Sequence, residues 1–299
     1  MEIELPTTCN QEMRSAVMRA AELIEQDAID DTLSFVVEQI NPDGGFRGRD
    51  DKSDLYYSVF GADCMLALGC DIDEDRFGEY VHGFGNGEGL DFIHLCCLAR
   101  CLSRLRNKID SRLAETISAR IETFRSADGG YSHVSKNAEY GTVYAAFLAM
   151  LAMEDLGRQL PEPGKVLESI DGLRTIDKSF ANQRGLRGGT SSTAAALVVL
   201  SRLGVPVDPT SGDWLMARAH EQGGFKASEH APMPDLLSTA TALFALRTIR
   251  MSLDDIRNAT SEFVEMLWSD NGGFCGHVAE DIADCEYTFY ALLSLGCLA

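Results

Sequence analysis

A glycine turn recurs along the chain, and similar elements follow it each time. Asn271-Gly272-Gly273-Phe274 leads through an acidic loop, holding Asp281 and Asp284, into the apolar run 286–295. Asp43-Gly44-Gly45-Phe46 leads to Asp54 and residues 56–68, and Asp128-Gly129-Gly130-Tyr131 to Glu139 and residues 143–151. Gln222-Gly223-Gly224-Phe225 leads to Asp235 and residues 236–246. The second glycines of these turns stand 85, 94 and 49 residues apart. The first two gaps are about double the third, so degenerate copies are expected near position 88 and between 177 and 189. Gly85-Asn86-Gly87-Glu88-Gly89 before residues 92–105, and FANQRGLRGG (180–189) before residues 190–203, fit those places. A period of about 45 to 50 residues marks a repeat architecture, whose units bury their apolar faces only against one another.

Each unit reads as a helix, a glycine turn and a second helix. The second helices are apolar almost all round, as in AAALVVL and TATALFAL, and such helices are buried on most faces. The first helices are amphipathic and charged, as in residues 112–124. Six of each predict two concentric rings: an all-α (α/α)6 toroid, or barrel, of six helical hairpins. Nothing reads as a strand of any length. The first and last units lack a polar outer cap, which predicts that the ring closes. The expected organisation is one domain over residues 1–299, with about six repeats over 29–299. Residues 1–28, with Met13, Val17, Ala20, Ala21, Leu23 and Ile24 at helical spacing, are expected to cap the first repeat.

Charge narrows the partners. A net charge of −20 argues against nucleic acid and anionic membranes, which both need clustered Lys and Arg. No apolar run reaches the roughly 18 residues that span a bilayer. The start, MEIELPTTCNQEM, lacks a basic segment followed by an apolar one, so no signal peptide is read and a cytoplasmic protein is expected. Nine cysteines cannot all pair, and they form no CxxC. Cys96, Cys97 and Cys101 fall in an apolar run and read as buried reduced thiols.

The repeated Q-x-x-D-G-G-F-x-G, loop, D-x-x-x-T-x-x-A-L-x-A-L resembles the prenyltransferase and squalene-cyclase repeat, from about residue 33 to 299. In length it is most similar to a protein prenyltransferase β subunit. The resemblance implies an α/α toroid with a central funnel for an isoprenoid or its diphosphate, working beside a helical-repeat α-like subunit. It also implies a zinc site of Asp-x-Cys in the fifth unit and His in the sixth. Here those positions read Asp235-Leu236-Leu237 and Glu286-Tyr287-Thr288. Leucine has no donor atom, so zinc is not expected. Asp235 with Glu286 would offer oxygens, which suit magnesium better. The candidate cations for a diphosphate are Arg184, Arg187 and Lys226. Tyr57, Tyr144, Phe244, Tyr287 and Tyr290 are the candidates for lining an aromatic funnel, whose ring faces would also stabilise a carbocation.

Three functions fit this resemblance. One is a divergent prenyltransferase β-like subunit. The second is a small terpene cyclase-like lyase that protonates its substrate with Asp235, or with Asp284 and Glu286 sharing a proton at the funnel mouth. The third is a non-catalytic toroid that binds a lipid or a protein. Against the catalytic readings stands a structural one. Asp54, Glu139, Asp235 and Asp284 precede apolar helices, where a carboxylate caps the backbone.

Overall fold

In each unit, the difference between an amphipathic helix and an apolar one becomes a difference of radius. The computed structural model describes residues 7–105 and 109–299, so the first six residues of the 1–28 segment lie outside it. The amphipathic helices are α2 (Gln26–Glu38), α4 (Glu74–His82), α6 (Ser111–Glu122), α8 (Pro163–Asp171), α10 (Pro209–Met216) and α12 (Arg257–Glu265). Each buries one stripe; α6 buries Ala114, Ile117, Ser118 and Ile121. The apolar helices are α3 (Leu55–Ala67), α5 (Phe92–Leu102), α7 (Val143–Asp155), α9 (Thr190–Arg202), α11 (Leu236–Thr248) and α13 (Cys285–Leu298). These six pack in order, α3 on α5, α5 on α7, α7 on α9, α9 on α11, α11 on α13, and α13 back on α3. The inner ring is therefore closed and the outer helices surround it: the fold is an all-α toroid.

The glycine turns work as their chemistry requires. Gly44, Gly129, Gly223 and Gly272 have φ between 88° and 92°, which side chains rarely adopt. At Gly223 a Cβ would also lie 1.9 Å from the carbonyl oxygen of Ala259 on α12. The fourth unit departs from the expected copy at 180–189. Its turn is Asp177-Lys178-Ser179-Phe180, where Lys178 takes a φ of 72° and Phe180 pairs with Arg174 as Phe46 pairs with Ile40. The Asp177 carboxylate accepts from the backbone N–H of Ser179 and from its hydroxyl, tying this turn together without glycine.

Aspartates cap four of the six inner helices at one end of the ring. Asp54, Asp91, Asp235 and Asp284 each accept a backbone N–H of the first turn that follows. Glu139 does not; Thr142 caps α7, because the helix starts three residues later. The last two loops are pinned by two-residue antiparallel ribbons, β1 (Phe225–Lys226) with β2 (Pro234–Asp235) and β3 (Phe274–Cys275) with β4 (Ala283–Asp284).

The opening helix, α1 (Cys9–Ala21), begins in a capping box of Thr8 and Gln11. It does not cap the first repeat alone; it packs on α13, α3 and α7. The Cys9 N–H donates to Glu154 at 2.6 Å and Asn10 Nδ2 to Asp155 at 2.5 Å, both at the C-terminal end of α7. Arg202, the last residue of α9, reaches Glu12 at 2.7 Å. Close approach to α13 needs Gly296, where a Cβ would lie 1.7 Å from the carbonyl oxygen of Ala16. Helix α1 thus covers the C-terminal ends of the inner helices. Among the described residues no helix is long and apolar enough to cross a membrane. All nine cysteines are free, and eight are buried.

Candidate functional site

The closed ring encloses a cavity of about 260 Å³, lined mainly by apolar and aromatic side chains of the inner helices, with Asn10 and Met13 of α1. Such a lining with a few polar groups is that of a small-molecule pocket. Tyr56 packs edge-on to Phe60 at 5.1 Å, and Phe60 lies 5.4 Å from Phe289 and 5.6 Å from Tyr290. These rings form an aromatic wall below the first turns of α3 and α13.

Glu286 stands at the top of that wall, on the first turn of α13. Its Oε1 accepts from the Tyr56 hydroxyl at 2.5 Å. Burial pushes its carboxyl up to about 7, and the Asp284 charge adds to the rise. The Tyr56 and Tyr290 hydroxyls and the Arg49 guanidinium pull it back, because they stabilise the ionised form. The phenols themselves are driven far above their usual range, chiefly by burial, so they act as donors.

Asp284, two residues away, has a separate environment. It caps Tyr287 N–H and receives Arg49 Nε at 3.1 Å, while Arg49 also reaches Glu280 at 2.6 Å. Among the described residues no hydrogen bond joins Asp284 to Glu286. The expected pair sharing one proton is therefore not joined directly: each carboxyl is raised first by its own burial, with Tyr287 N–H and Arg49 pulling Asp284 back and the Tyr56 and Tyr290 hydroxyls pulling Glu286 back.

The other candidates divide by position. Tyr144, Phe244, Tyr290 and Glu286 line the cavity. Tyr57 and Tyr287 do not; Tyr57 lies against Gly48, and Tyr287 lies under the Arg49 guanidinium at 5.4 Å and against Gly276. Asp235 accepts from the backbone and side chain of Ser238 at 2.7 and 2.8 Å, which fits a helix cap. Arg184 and Arg187 are exposed on the fourth loop, Arg184 stacking on Tyr140 at 3.8 Å. Lys226, in β1, is away from the cavity wall.

The cavity's cation is instead Arg100 of α5, which lies over Phe60 and Phe289 at 5.5 and 5.6 Å. Arg100 and Arg104 both donate to the fully buried Asp63 of α3, at 2.9 Å and 2.5 Å, with Arg14 at 3.6 Å. Burial works to raise the Asp63 pKa, but Arg104 and Arg100 outweigh it and hold the group down at about 2. A sequence signal for this site existed: Asp63 and Arg100 interrupt helices that are apolar on nearly every face, and a charge there must find a partner.

The metal question turns on donor atoms. Leu237, in place of the cysteine that the resemblance asks for, is part of the cavity wall. Among the described residues no group of three or more His, Cys, Asp or Glu could hold a metal ion. The residues do not fit a zinc site.

A model of the prenyltransferase alpha-alpha toroid domain matches residues 13–89, 92–210 and 193–299. Solved structures share the fold. The type II terpene cyclase MstE from Scytonema is 11% identical, with 94% of this chain and 97% of that chain covered and a TM-score of 0.63. A protein from Actinoplanes is 14% identical, with 91% and 98% covered and a TM-score of 0.65. MstE has also been solved with geranylgeranyl dihydroxybenzoate as its substrate. Identities this low speak for the fold alone. No curated protein sequence matches the chain.

Proposed function

This chain belongs to the prenyltransferase alpha-alpha toroid domain family, and on that premise we propose that it is a terpene cyclase-like enzyme with Glu286 as its general acid. One observation carries the reading: a carboxyl group raised to about 7 sits in an aromatic cavity with a phenol at 2.5 Å on one of its oxygens. Tyr56 donates to Oε1 and the Tyr290 hydroxyl also hydrogen-bonds the carboxyl; the acidic proton of the group they hold is the one passed to substrate. As that proton leaves, the same phenols stabilise the carboxylate that forms.

The reaction is an isomerisation. The Glu286 proton adds to a terminal alkene or epoxide of a linear isoprenoid, leaving a tertiary cation. Ring closure moves the cation inward, past the faces of Phe60, Phe289 and Tyr290, whose quadrupoles favour positive charge. Loss of a neighbouring proton ends the sequence and restores the proton count. Tyr144 and Phe244 hold the chain folded, and Arg49 is paired with Asp284, where it works against the burial that raises that carboxyl. No metal enters.

The prenyltransferase reading asks for donors around a diphosphate. Arg184, Arg187 and Lys226, the cations it would use, lie away from the cavity, which weakens it relative to the cyclase. MstE, with its geranylgeranyl substrate, supports a chain of this class as ligand here. The test is incubation of the purified chain with linear geranylgeranyl compounds and no peptide acceptor. The expected outcome is a cyclic isomer of unchanged mass by gas chromatography–mass spectrometry. Release of diphosphate with alkylation of an added cysteine peptide would establish the transferase instead.

A further inference from the structure

At the covered end of the cavity, three guanidinium groups meet two carboxyl groups. Arg14, Arg100 and Arg104 surround Asp63, and Asp155 accepts from Asn10 Nδ2 at 2.5 Å. Asp155 also feels the charges of Arg104 and Arg100, so these groups form one neighbourhood. Arg100 and Asn10 both belong to the cavity wall. Each keeps one buried polar atom without a hydrogen-bond partner among the described residues: the donor Nε of Arg100 and the acceptor Oδ1 of Asn10. Asn10 is 1% exposed, so bulk water does not serve it. The Asn10 amide is oriented by Asp155, because its NH2 group must face the carboxylate, which leaves the oxygen unmatched. Unmet buried groups are costly, and a ligand that satisfies them recovers that cost.

The residues that carry these atoms leave the helices nearer the opposite end from the acid. Glu286 is the second residue of α13, Arg100 the ninth of α5, and Asp155 the last of α7. At 1.5 Å of rise per residue, these backbone positions are roughly 10 to 17 Å apart along the helix axes. Resting on the general-acid reading above, we propose that the cavity selects an isoprenoid alcohol, with its hydroxyl at Arg100 and Asn10 and its terminal alkene at Glu286. The hydroxyl oxygen accepts from Arg100 Nε and its hydrogen goes to Asn10 Oδ1. A hydroxyl is both acceptor and donor, so it answers both atoms. A hydrocarbon end answers neither. A carboxylate or diphosphate would satisfy Arg100 but set negative charge against Asn10 Oδ1 and beside Asp155.

The test compares three ligands of one skeleton: geranylgeraniol, the hydrocarbon with hydrogen in place of its hydroxyl, and geranylgeranic acid. Displacement of a fluorescent prenyl probe gives their affinities for the wild-type chain, Glu286→Gln and Asn10→Leu. The alcohol is expected to bind about tenfold tighter than the hydrocarbon, and tighter than the acid. That preference should persist in Glu286→Gln and vanish in Asn10→Leu; Asn10→Ala is the second variant should the leucine fail to fold. Equal affinities for alcohol and hydrocarbon, or tightest binding of the acid, overturn the proposal while leaving an isoprenoid pocket. A preference lost in Glu286→Gln but kept in Asn10→Leu also overturns it, because the hydroxyl then sits at the acid. Displacement by none of the three removes both this proposal and the isoprenoid reading beneath it.

Discussion

The Tyr56 hydroxyl donates to Oε1 of Glu286 at 2.5 Å, joining the first turns of the first and last inner helices across 230 residues of chain. The bond exists because the ring closes, α13 packing on α3. It puts a donor on Oε1, and the Tyr290 hydroxyl hydrogen-bonds the same carboxyl. Ring closure is thus what builds the acid.

The Glu286 carboxyl makes stability depend on pH in a defined direction. Its pKa is raised by folding, from 4.5 to about 7, so the folded state binds the proton more tightly. Stability is therefore lost as pH rises from 4.5 through 7, by at most about 3 kcal/mol. Glu286→Gln removes that dependence. Urea titrations at pH 5 and pH 8 should show the variant gaining stability relative to wild type at the higher pH. A difference that is flat across the range would mean that the carboxyl is not raised.

Tyr56→Phe keeps the ring and its packing on Phe60 and deletes the donor. The carboxylate formed in the reaction loses a hydrogen bond, so turnover should fall about tenfold to a hundredfold. The Glu286 pKa should rise further, because that bond favours the ionised form. The alkaline limb of the rate profile should then move to higher pH. A fall in rate with no movement of that limb would point to altered packing alone.

Asp63 is the charge that holds the covered end of the ring together. Asp63→Ala leaves Arg100 and Arg104 buried without their partner, and should destabilise the fold by about 3 to 5 kcal/mol. The wild-type pKa is depressed from 3.8 to about 2, so this contribution is present above pH 3.8 and lost as pH falls through 2. Chemical denaturation of both proteins at pH 7 tests the first statement. A cost below 1 kcal/mol would mean that the arginines find other partners.

His94 ties the mouths of the first two units, with Nδ1 at 2.8 Å from Asp91 and Nε2 at 3.3 Å from Asp54. Its pKa is raised to about 9, first by the hydrogen bond with Asp54. Its stabilisation is complete below 6.5 and lost as pH rises through 9. His94→Gln should flatten the loss of thermal stability in that window, read by melting at pH 6 and pH 9.5. Parallel losses in the two proteins would remove the histidine from the account.

The architecture was legible because glycine turns and apolar helices are local features. Gly44, Gly129, Gly223 and Gly272 could be counted, and the count implied the ring. The fourth turn falls inside the expected window of 177–189, but at 177–180 and not in the glycines of 180–189, because Lys178 occupies a left-handed position that is usually read from glycine. The site was harder, since its chemistry is made across the ring. Glu286 was recognisable as an acid at a helix start, but its partner could be chosen only with Tyr56 in place. Arg184, Arg187 and Lys226 carry charge near the expected mouth, but nothing in their spacing says that the two arginines face outward or that Lys226 lies in β1 outside the cavity wall. Asn10 entered the cavity wall because α1 packs across the ends of several inner helices, a long-range contact that its own amphipathicity does not specify.

Turnover in deuterium oxide tests the general acid most directly. Once a linear isoprenoid substrate with a terminal alkene is found, the account predicts that each cyclic product carries one carbon-bound deuterium delivered by Glu286, and that Glu286→Gln binds the substrate yet forms no product. Product free of deuterium, or formed equally well by a folded Glu286→Gln protein, would contradict it.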